Sequence, residues 1–147
     1  APKESSIEKK IIFKVETNLQ KKKYLENFKK FQKKIILVKK EILQFIKKYK
    51  KRNKTIIGIA AATKGNTLLN FCNIDYNDLK YIAENSPYKI NKFTPGSAIP
   101  IVDEKNLKKF DAAIIFPWNI TKHLYKKFLH NKKIPYTSVA EIIKKIK

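Results

Sequence analysis

The sequence predicts an α/β fold in which a parallel sheet is flanked by helices and preceded by a long amphipathic helix. Apolar residues recur in alternating steps of four and three from Tyr24 to Tyr49, which is the spacing of a helix with one buried face. Two runs without charged residues, 55–60 and 112–116, are typical of strands buried on both sides. Helical patterns follow several of the predicted strands, and this alternation favours parallel strand pairing.

The N-terminal part is predicted to be helical throughout. Between Lys3 and Lys54 there is no glycine or proline, so nothing breaks the long helix before about Lys50. A shorter helix is predicted over Ser6–Val15, with Ser5 or Ser6 as its N-cap. The apolar stripe also fits a coiled-coil seam, but its width and aromatic content favour packing on the chain's own sheet. We therefore expect residues 1–53 to be a helical segment packed on the α/β domain of residues 54–147, together forming one globular domain.

In the second part, hydrophobic runs and turn residues define the remaining elements. Strands are predicted at Thr55–Ala60, Leu79–Ala83, Ile99–Val102 and Ala112–Phe116. Helices are predicted at Thr67–Phe71, Glu104–Lys109, Ile120–Leu129 and Val139–Ile146.

The charge of the chain is strongly positive, with a formal net charge of +22. Of the 34 basic residues only Arg52 is an arginine. Arginine is the residue that forms paired hydrogen bonds to guanine bases and to phosphates. Non-specific attraction to polyanions is expected. The near absence of arginine argues against nucleic acid as the specific partner, although a basic polyanion-binding protein stays open as an alternative.

Other bulk features restrict the location and the kinds of site. No apolar run approaches the roughly 18–20 residues that span a bilayer, so no membrane partner is expected. Residues 1–10 have no hydrophobic stretch of the signal-peptide type, which predicts a cytoplasmic protein. Cys72 is the only cysteine, which argues against an internal disulfide or a multi-cysteine zinc site.

The first segment with possible chemistry runs from Gly58 to Thr67. Small side chains leave a predicted strand and open a helix, whose free N–H groups suit a phosphate. Lys64 adds positive charge, and Asn66 and Thr67 are predicted to cap the helix and donate hydrogen bonds. A tight turn that binds nothing explains the same residues equally well.

Two further segments follow. Lys92–Ile101 contains a Pro95-Gly96 turn leading to a short strand, and a structural role is favoured there. Trp118 comes directly after Pro117, which ends a buried strand, at the sheet edge where ligands bind in parallel folds. The indole can stack on a base or sugar or can pack into the core. Asn119 is predicted to cap the next helix. Because both segments follow buried parallel strands, we expect the turn of residues 63–66 and the corner of residues 118–119 to lie side by side at the carboxyl edge of the sheet.

Three segments occur in this order: GIAAATKGNTLLN, KFTPGSAIPIV, and PWN after a buried strand. Together they resemble the C-terminal domain of C-methyltransferases that act on nucleotide-linked deoxysugars. The helical run of residues 16–54 is also similar, so the resemblance covers about residues 7–143. It implies a Rossmann-like fold and a three-part enzyme with a zinc module and an S-adenosylmethionine domain. The implied partners are a nucleotide-linked sugar and the methyl-donor domain or subunit.

The resemblance also implies a set of substrate-binding residues. These are Gly58, Ala61, Lys64, Gly65, Asn66, Thr67, Asn70, Pro95, Gly96, Trp118 and Asn119. The sequence departs from the family at Ile59 and Ala60, where a tyrosine and a glycine are usual, and at Glu84-Asn85, where an aspartate-rich strand end is usual.

The sequence contains no zinc cluster and no glycine-rich methyl-donor motif. We therefore expect the chain by itself to bind no metal and no S-adenosylmethionine, and to carry no catalytic residue. His123 and His130 are predicted to be surface residues because they lie among lysines. A non-catalytic interaction or dimerisation module, using the long helix, stays open as another alternative.

Overall fold

The structure, a computed structural model, describes residues 6–146, and the side chains of residues 9–146. The chain divides into two compact units at Leu37–Val38. Four helices and five strands make up the described part, together with 3-10 turns at Glu104–Asn106 and His130–Lys132. In chain order they are α1 Ser6–Lys50, β1 Ile56–Ile59, α2 Thr63–Cys72, β2 Ile82–Glu84, β3 Ile101–Asp103, β4 Ala112–Ile115, α3 Thr121–Phe128, β5 Tyr136–Ser138 and α4 Val139–Ile146.

Helix α1 is one continuous helix. The prediction of a separate helix over Ser6–Val15 is therefore wrong. Residues 16–23 lack an apolar stripe but consist mostly of good helix formers, so the helix continues through them without a break. Ser5, one of the two proposed N-caps, lies outside the described residues.

The apolar stripe of α1 has two different environments. In the second unit Val38, Ile42 and Ile46 are buried in the core. In the first unit Tyr24 and Phe31 are exposed. From Val38 onward the stripe therefore packs into the core, with Phe45 and Tyr49 partly buried against it, although its spacing does not change there.

The sheet has five parallel strands in the order β3-β2-β1-β4-β5, so the predicted parallel α/β fold is confirmed. This order, with β1 beside both β2 and β4, is that of the Rossmann-like fold. Strand β5 was not predicted, because Tyr136–Ser138 is short and largely polar and follows Pro135. Its pairing with β4 supplies the hydrogen bonds that its own sequence does not signal.

Apolar side chains cover both faces of the sheet, which explains the uncharged strand sequences. Alternate residues of β1 point to opposite faces: Ile56 joins the cluster formed with α1, α2 and α4. Ile57 and Ile59 join the cluster on the other face, with Leu124 of α3. Both central strands are completely buried.

Three helices of this unit were placed with different accuracy. The predicted start of α4 at Val139 is confirmed and the helix is described as far as Ile146, while α3 agrees with its prediction to within one residue at each end. The helix predicted over Glu104–Lys109 is only a 3-10 turn at Glu104–Asn106, started by the Asp103 side chain, which accepts a hydrogen bond from the Lys105 N–H. Among the described helices, none has the length and apolarity needed to cross a membrane.

Candidate functional site

The two segments singled out after β1 and β4 lie side by side at the carboxyl edge of the sheet. Lys64 Nζ lies over the Trp118 ring, 5.0 Å from its centroid. Strands β1 and β4 are neighbours, and the chain leaves β1 toward β2 on one side and reaches β4 on the other. Ligands of open parallel sheets bind at such a switch point. The predicted juxtaposition of these segments is confirmed.

The turn between β1 and α2 leaves the helix start open. Ala60 adopts φ +65°, a left-handed conformation in which glycine is favoured over other residues. Helix α2 begins at Thr63 after Ala62, whose extended backbone carries no side-chain cap. The N–H groups of the first turn therefore have no helical carbonyl to bond, and together with the helix dipole they favour an anion.

The capping roles predicted for Asn66 and Thr67 are wrong. Helix α2 begins four residues earlier than expected, so both residues lie inside it. Thr67 Oγ1 donates to the Thr63 carbonyl at 3.3 Å and is directed along the helix. Asn66 Oδ1 is buried and, within residues 9–146, has no hydrogen-bond partner. A ligand N–H or O–H could satisfy this acceptor.

A buried carboxylate holds the turn in place. Glu84, at the end of β2, accepts hydrogen bonds from the Ala61 N–H at 2.8 Å and from the Asn85 and Ser86 N–H groups at 2.9 and 3.1 Å. Lys89 Nζ donates to the Ala61 carbonyl at 2.9 Å and lies 3.6 Å from Glu84 Oε2. The N–H and the carbonyl of Ala61 are thus both held by hydrogen bonds, and the negative charge of Glu84 is balanced by Lys89 and the backbone N–H groups.

Two cavities flank this turn, and Ala60, Ala62, Thr63 and Lys89 border both of them. The first, about 270 Å³, is mainly apolar and extends toward the Pro95 loop. The second, about 520 Å³, extends toward α3 and is more polar. Besides Thr63 and Lys89, its charged and polar side chains are those of Lys64, Glu84, Asn85, Glu104, Asn119, His123 and Lys127.

Two of the predicted ligand-facing glycines have a packing role. A Cβ on Gly58 would lie 2.6 Å from Phe116 Cε2, and a Cβ on Gly65 would lie 2.6 Å from Phe116 Cβ. The Phe116 ring is completely buried between them. Gly58 borders neither cavity, whereas Gly65 borders the first.

Asn70 and Gly96 form a second packing pair. Asn70 Nδ2 donates to the Asn66 carbonyl at 2.9 Å and to the Pro95 carbonyl at 3.0 Å, which ties the loop to α2. Gly96 has φ +80°, and a Cβ there would overlap with Asn70 Oδ1. Of this loop, only Pro95 among the predicted site residues borders a cavity. The structural role favoured for the Pro95-Gly96 turn agrees with these contacts.

The corner after β4 is open to solvent. Trp118 is 39% exposed and is not a member of either core cluster. Helix α3 begins at Thr121 with Ile120 at the N-cap, and no side chain caps it. The prediction that Asn119 caps α3 is therefore wrong, and Asn119 instead borders the second cavity. The Thr121 hydroxyl donates to the Pro117 and Trp118 carbonyls, which ties the helix start to the corner but caps none of its N–H groups.

Several residues of the cavities were not predicted from sequence. Lys89, Lys92 and Lys127 are three lysines among many, and no local pattern distinguishes them. His123 was predicted to be a surface residue, and it is exposed while bordering the second cavity. Within the part of the chain that is described, no group of three histidine, cysteine, aspartate or glutamate side chains could hold a metal ion.

Comparison of the sequence with known proteins identifies a family. The C-methyltransferase C-terminal domain profile matches residues 3–135. A protein named C-methyltransferase NovU, from Streptomyces niveus, is 27% identical over 99 residues, covering 64% of this chain. The same segment covers 24% of that relative, so the chain spans about a quarter of its length.

Proposed function

We propose, from the premise that the chain belongs to the C-methyltransferase C-terminal domain family, that it binds the nucleotide-linked sugar of an S-adenosylmethionine-dependent C-methyltransferase. The methyl donor and the catalytic groups would then reside in another domain or subunit. The relative NovU, of which this chain spans about a quarter, leaves room for such parts.

The observation that carries the proposal is the Lys64–Trp118 pair beside the open start of α2. Lys64 makes no ion pair with any described side chain, so its charge is available to a diphosphate. The first-turn N–H groups of α2 add donors for the same oxygens. Trp118 offers a partly exposed indole on which a base or a sugar can stack.

The balanced Glu84 carboxylate supports the same assignment. An unpaired carboxylate this close to the turn would repel a diphosphate, but Glu84 is satisfied by three backbone N–H groups and by Lys89. Because both of its oxygens are occupied, Glu84 is not free to hold a ribose diol as the acidic residue of dinucleotide-binding folds does. The site therefore favours phosphate and ring contacts over recognition of a ribose.

Such a surface is half of a binding site. Both cavities are open to solvent, and the Trp118 ring is covered on one side by Lys64. Because a partner domain would bury the rest of the ligand, we expect this chain alone to bind a nucleoside-diphosphate sugar no tighter than about 1 mM, roughly 4 kcal/mol.

The test is chemical-shift mapping by NMR with a thymidine-diphosphate sugar. We expect saturable shifts in residues 60–66 and 117–120, which Lys64→Ala and Trp118→Ala each weaken several-fold. The matched controls are Lys126→Ala, an exposed lysine that borders neither cavity, and Tyr76→Ala, an exposed aromatic residue away from the site. Neither control should change the titration.

Shifts spread over the lysines of α1 and unchanged by Lys64→Ala would contradict the proposal. They would indicate non-specific attraction of a polyanion to a chain with net charge +22. Repeating the titration with inorganic diphosphate separates the two contributions of the site. If Lys64→Ala still weakens the binding of inorganic diphosphate but Trp118→Ala no longer does, the Trp118 ring is assigned to the base or the sugar.

A further inference from the structure

The described part of the first unit is a helix whose large apolar side chains face solvent. Tyr24, Leu25, Phe28, Phe31 and Ile36 are all exposed, within a single stretch of α1. Tyr24 and Phe28 stack at 6.5 Å with their rings nearly parallel. Contiguous apolar patches of this kind mark interaction sites on soluble proteins.

The spacing of these side chains is that of a coiled-coil seam. Tyr24, Phe28, Phe31 and Ile35 follow steps of four, three and four, which places them at positions d, a, d and a of a heptad. We propose that this seam, residues 24–35, packs against the same seam of a second copy of the chain.

The position of the charges favours a second copy over an occupant with a strongly acidic or anionic surface. In this register the lysines at 22, 23, 29, 30 and 33 fall at positions b, c and f, on the side away from the seam. The positions bordering the seam, e and g, are Leu25, Asn27, Gln32 and Lys34. One lysine per helix therefore lies beside the seam, so few like charges come into direct contact when two copies meet, and the remaining repulsion between the chains acts over a longer range that salt screens.

The same distribution argues against an acidic protein surface or an anionic membrane. An acidic groove would need cations beside the apolar face to complement it, and only Lys34 is there. A helix lying on an anionic bilayer keeps lysines at the boundary of its apolar face, where they reach the head groups. Here most of that boundary is uncharged.

The experiment is sedimentation velocity of the whole chain over a range of concentrations up to several hundred micromolar. We expect a monomer–dimer equilibrium between the 17.2 kDa chain and twice that mass. Phe31→Asp, in the seam, should leave only monomer, at least a tenfold weakening. Ile36→Asp is the matched control, because Ile36 is 64% exposed, against 58% for Phe31, but falls at an outer b position. It should leave the dimer intact.

Salt gives an independent readout. Added salt should strengthen a dimer of two chains that each carry +22, because it screens their repulsion. Added salt would instead weaken binding to an acidic partner or to an anionic membrane. Circular dichroism should show that both variants keep their helix.

A monomer at every concentration would overturn the proposal, as would equal effects of the Phe31 and Ile36 substitutions. Binding of a monomeric chain to vesicles of equal parts phosphatidylcholine and phosphatidylserine, abolished by Phe31→Asp, would assign the seam to a lipid surface instead. None of these outcomes depends on Lys64 or Trp118, so they leave the ligand-site proposal to its own test.

Discussion

Replacing Gly65 by alanine would place a methyl group against the buried ring of Phe116. The added Cβ would lie 2.6 Å from Phe116 Cβ and 2.8 Å from Phe116 Cγ. These atoms are next to the backbone of a completely buried side chain, so they cannot move away as the end of a flexible side chain could.

Two contributions of opposite sign determine the result. Alanine in place of glycine inside a helix stabilises by up to about 1 kcal/mol. Overpacking a well-filled core costs about 1–3 kcal/mol. Because the contact is far inside van der Waals distance, we expect overpacking to dominate and Gly65→Ala to lower the free energy of unfolding by about 1–2 kcal/mol. For a chain of this size the corresponding decrease in Tm is about 3–8 °C.

The assay is urea denaturation followed by circular dichroism, with Thr67→Ala as the control at an exposed position of α2. The control should change stability by no more than about 0.5 kcal/mol. A double-mutant cycle with Phe116→Leu should recover part of the loss, since the smaller side chain makes room. If Gly65→Ala proves as stable as the wild type or more so, the packing argument is refuted. Gly65 would then be retained for the approach of a ligand.

Two further predictions concern other parts of the molecule. Ile42→Ala should lower the free energy of unfolding by about 2–5 kcal/mol in urea denaturation, because Ile42 is completely buried. Phe31→Ala, at an exposed position, should change it by no more than about 0.5 kcal/mol in dilute solution. Comparable losses of stability in the two variants would contradict the different burial of the two side chains. A hydrogen bond from the Thr55 N–H, helped by Lys54, lowers the pKa of Asp111. The stability it contributes is therefore complete above the ordinary carboxyl pKa of 3.8 and is lost as the pH falls through the lower folded-state pKa. Acid unfolding of Asp111→Asn should lack this component, and an unchanged acid profile would contradict it.

Four of the residues that the family resemblance assigned to the substrate pack against other parts of the protein. Gly58, Gly65, Asn70 and Gly96 all have contacts within the protein that explain them without a ligand. The case for binding therefore rests on Lys64 and its neighbours at the open helix start. A family resemblance transferred residue by residue assigned all of these to the substrate. Packing and ligand roles separate only when the neighbours are known.

By itself the sequence determined the class of the fold and the position of most elements. Uncharged runs such as 112–116 predicted the central strands, because a strand that is covered on both faces has no solvent-facing position for a charged side chain. The order of strands and helices predicted parallel pairing, and with it the meeting of Lys64 and Trp118 at one edge. These features depend on local periodicity and chain order, which the sequence records directly.

Tertiary structure decided where those patterns end and what their residues contact. Helix α2 starts at Thr63 after a turn that Glu84 holds from 23 residues away along the chain, so no local signal marks it. The stripe of α1 continues in sequence from Tyr24 to Tyr49 but joins the core only from Val38 onward. An apolar spacing records that a helix has an apolar face. Which residues cover that face depends on contacts between segments that are distant in sequence, and the spacing does not record those contacts.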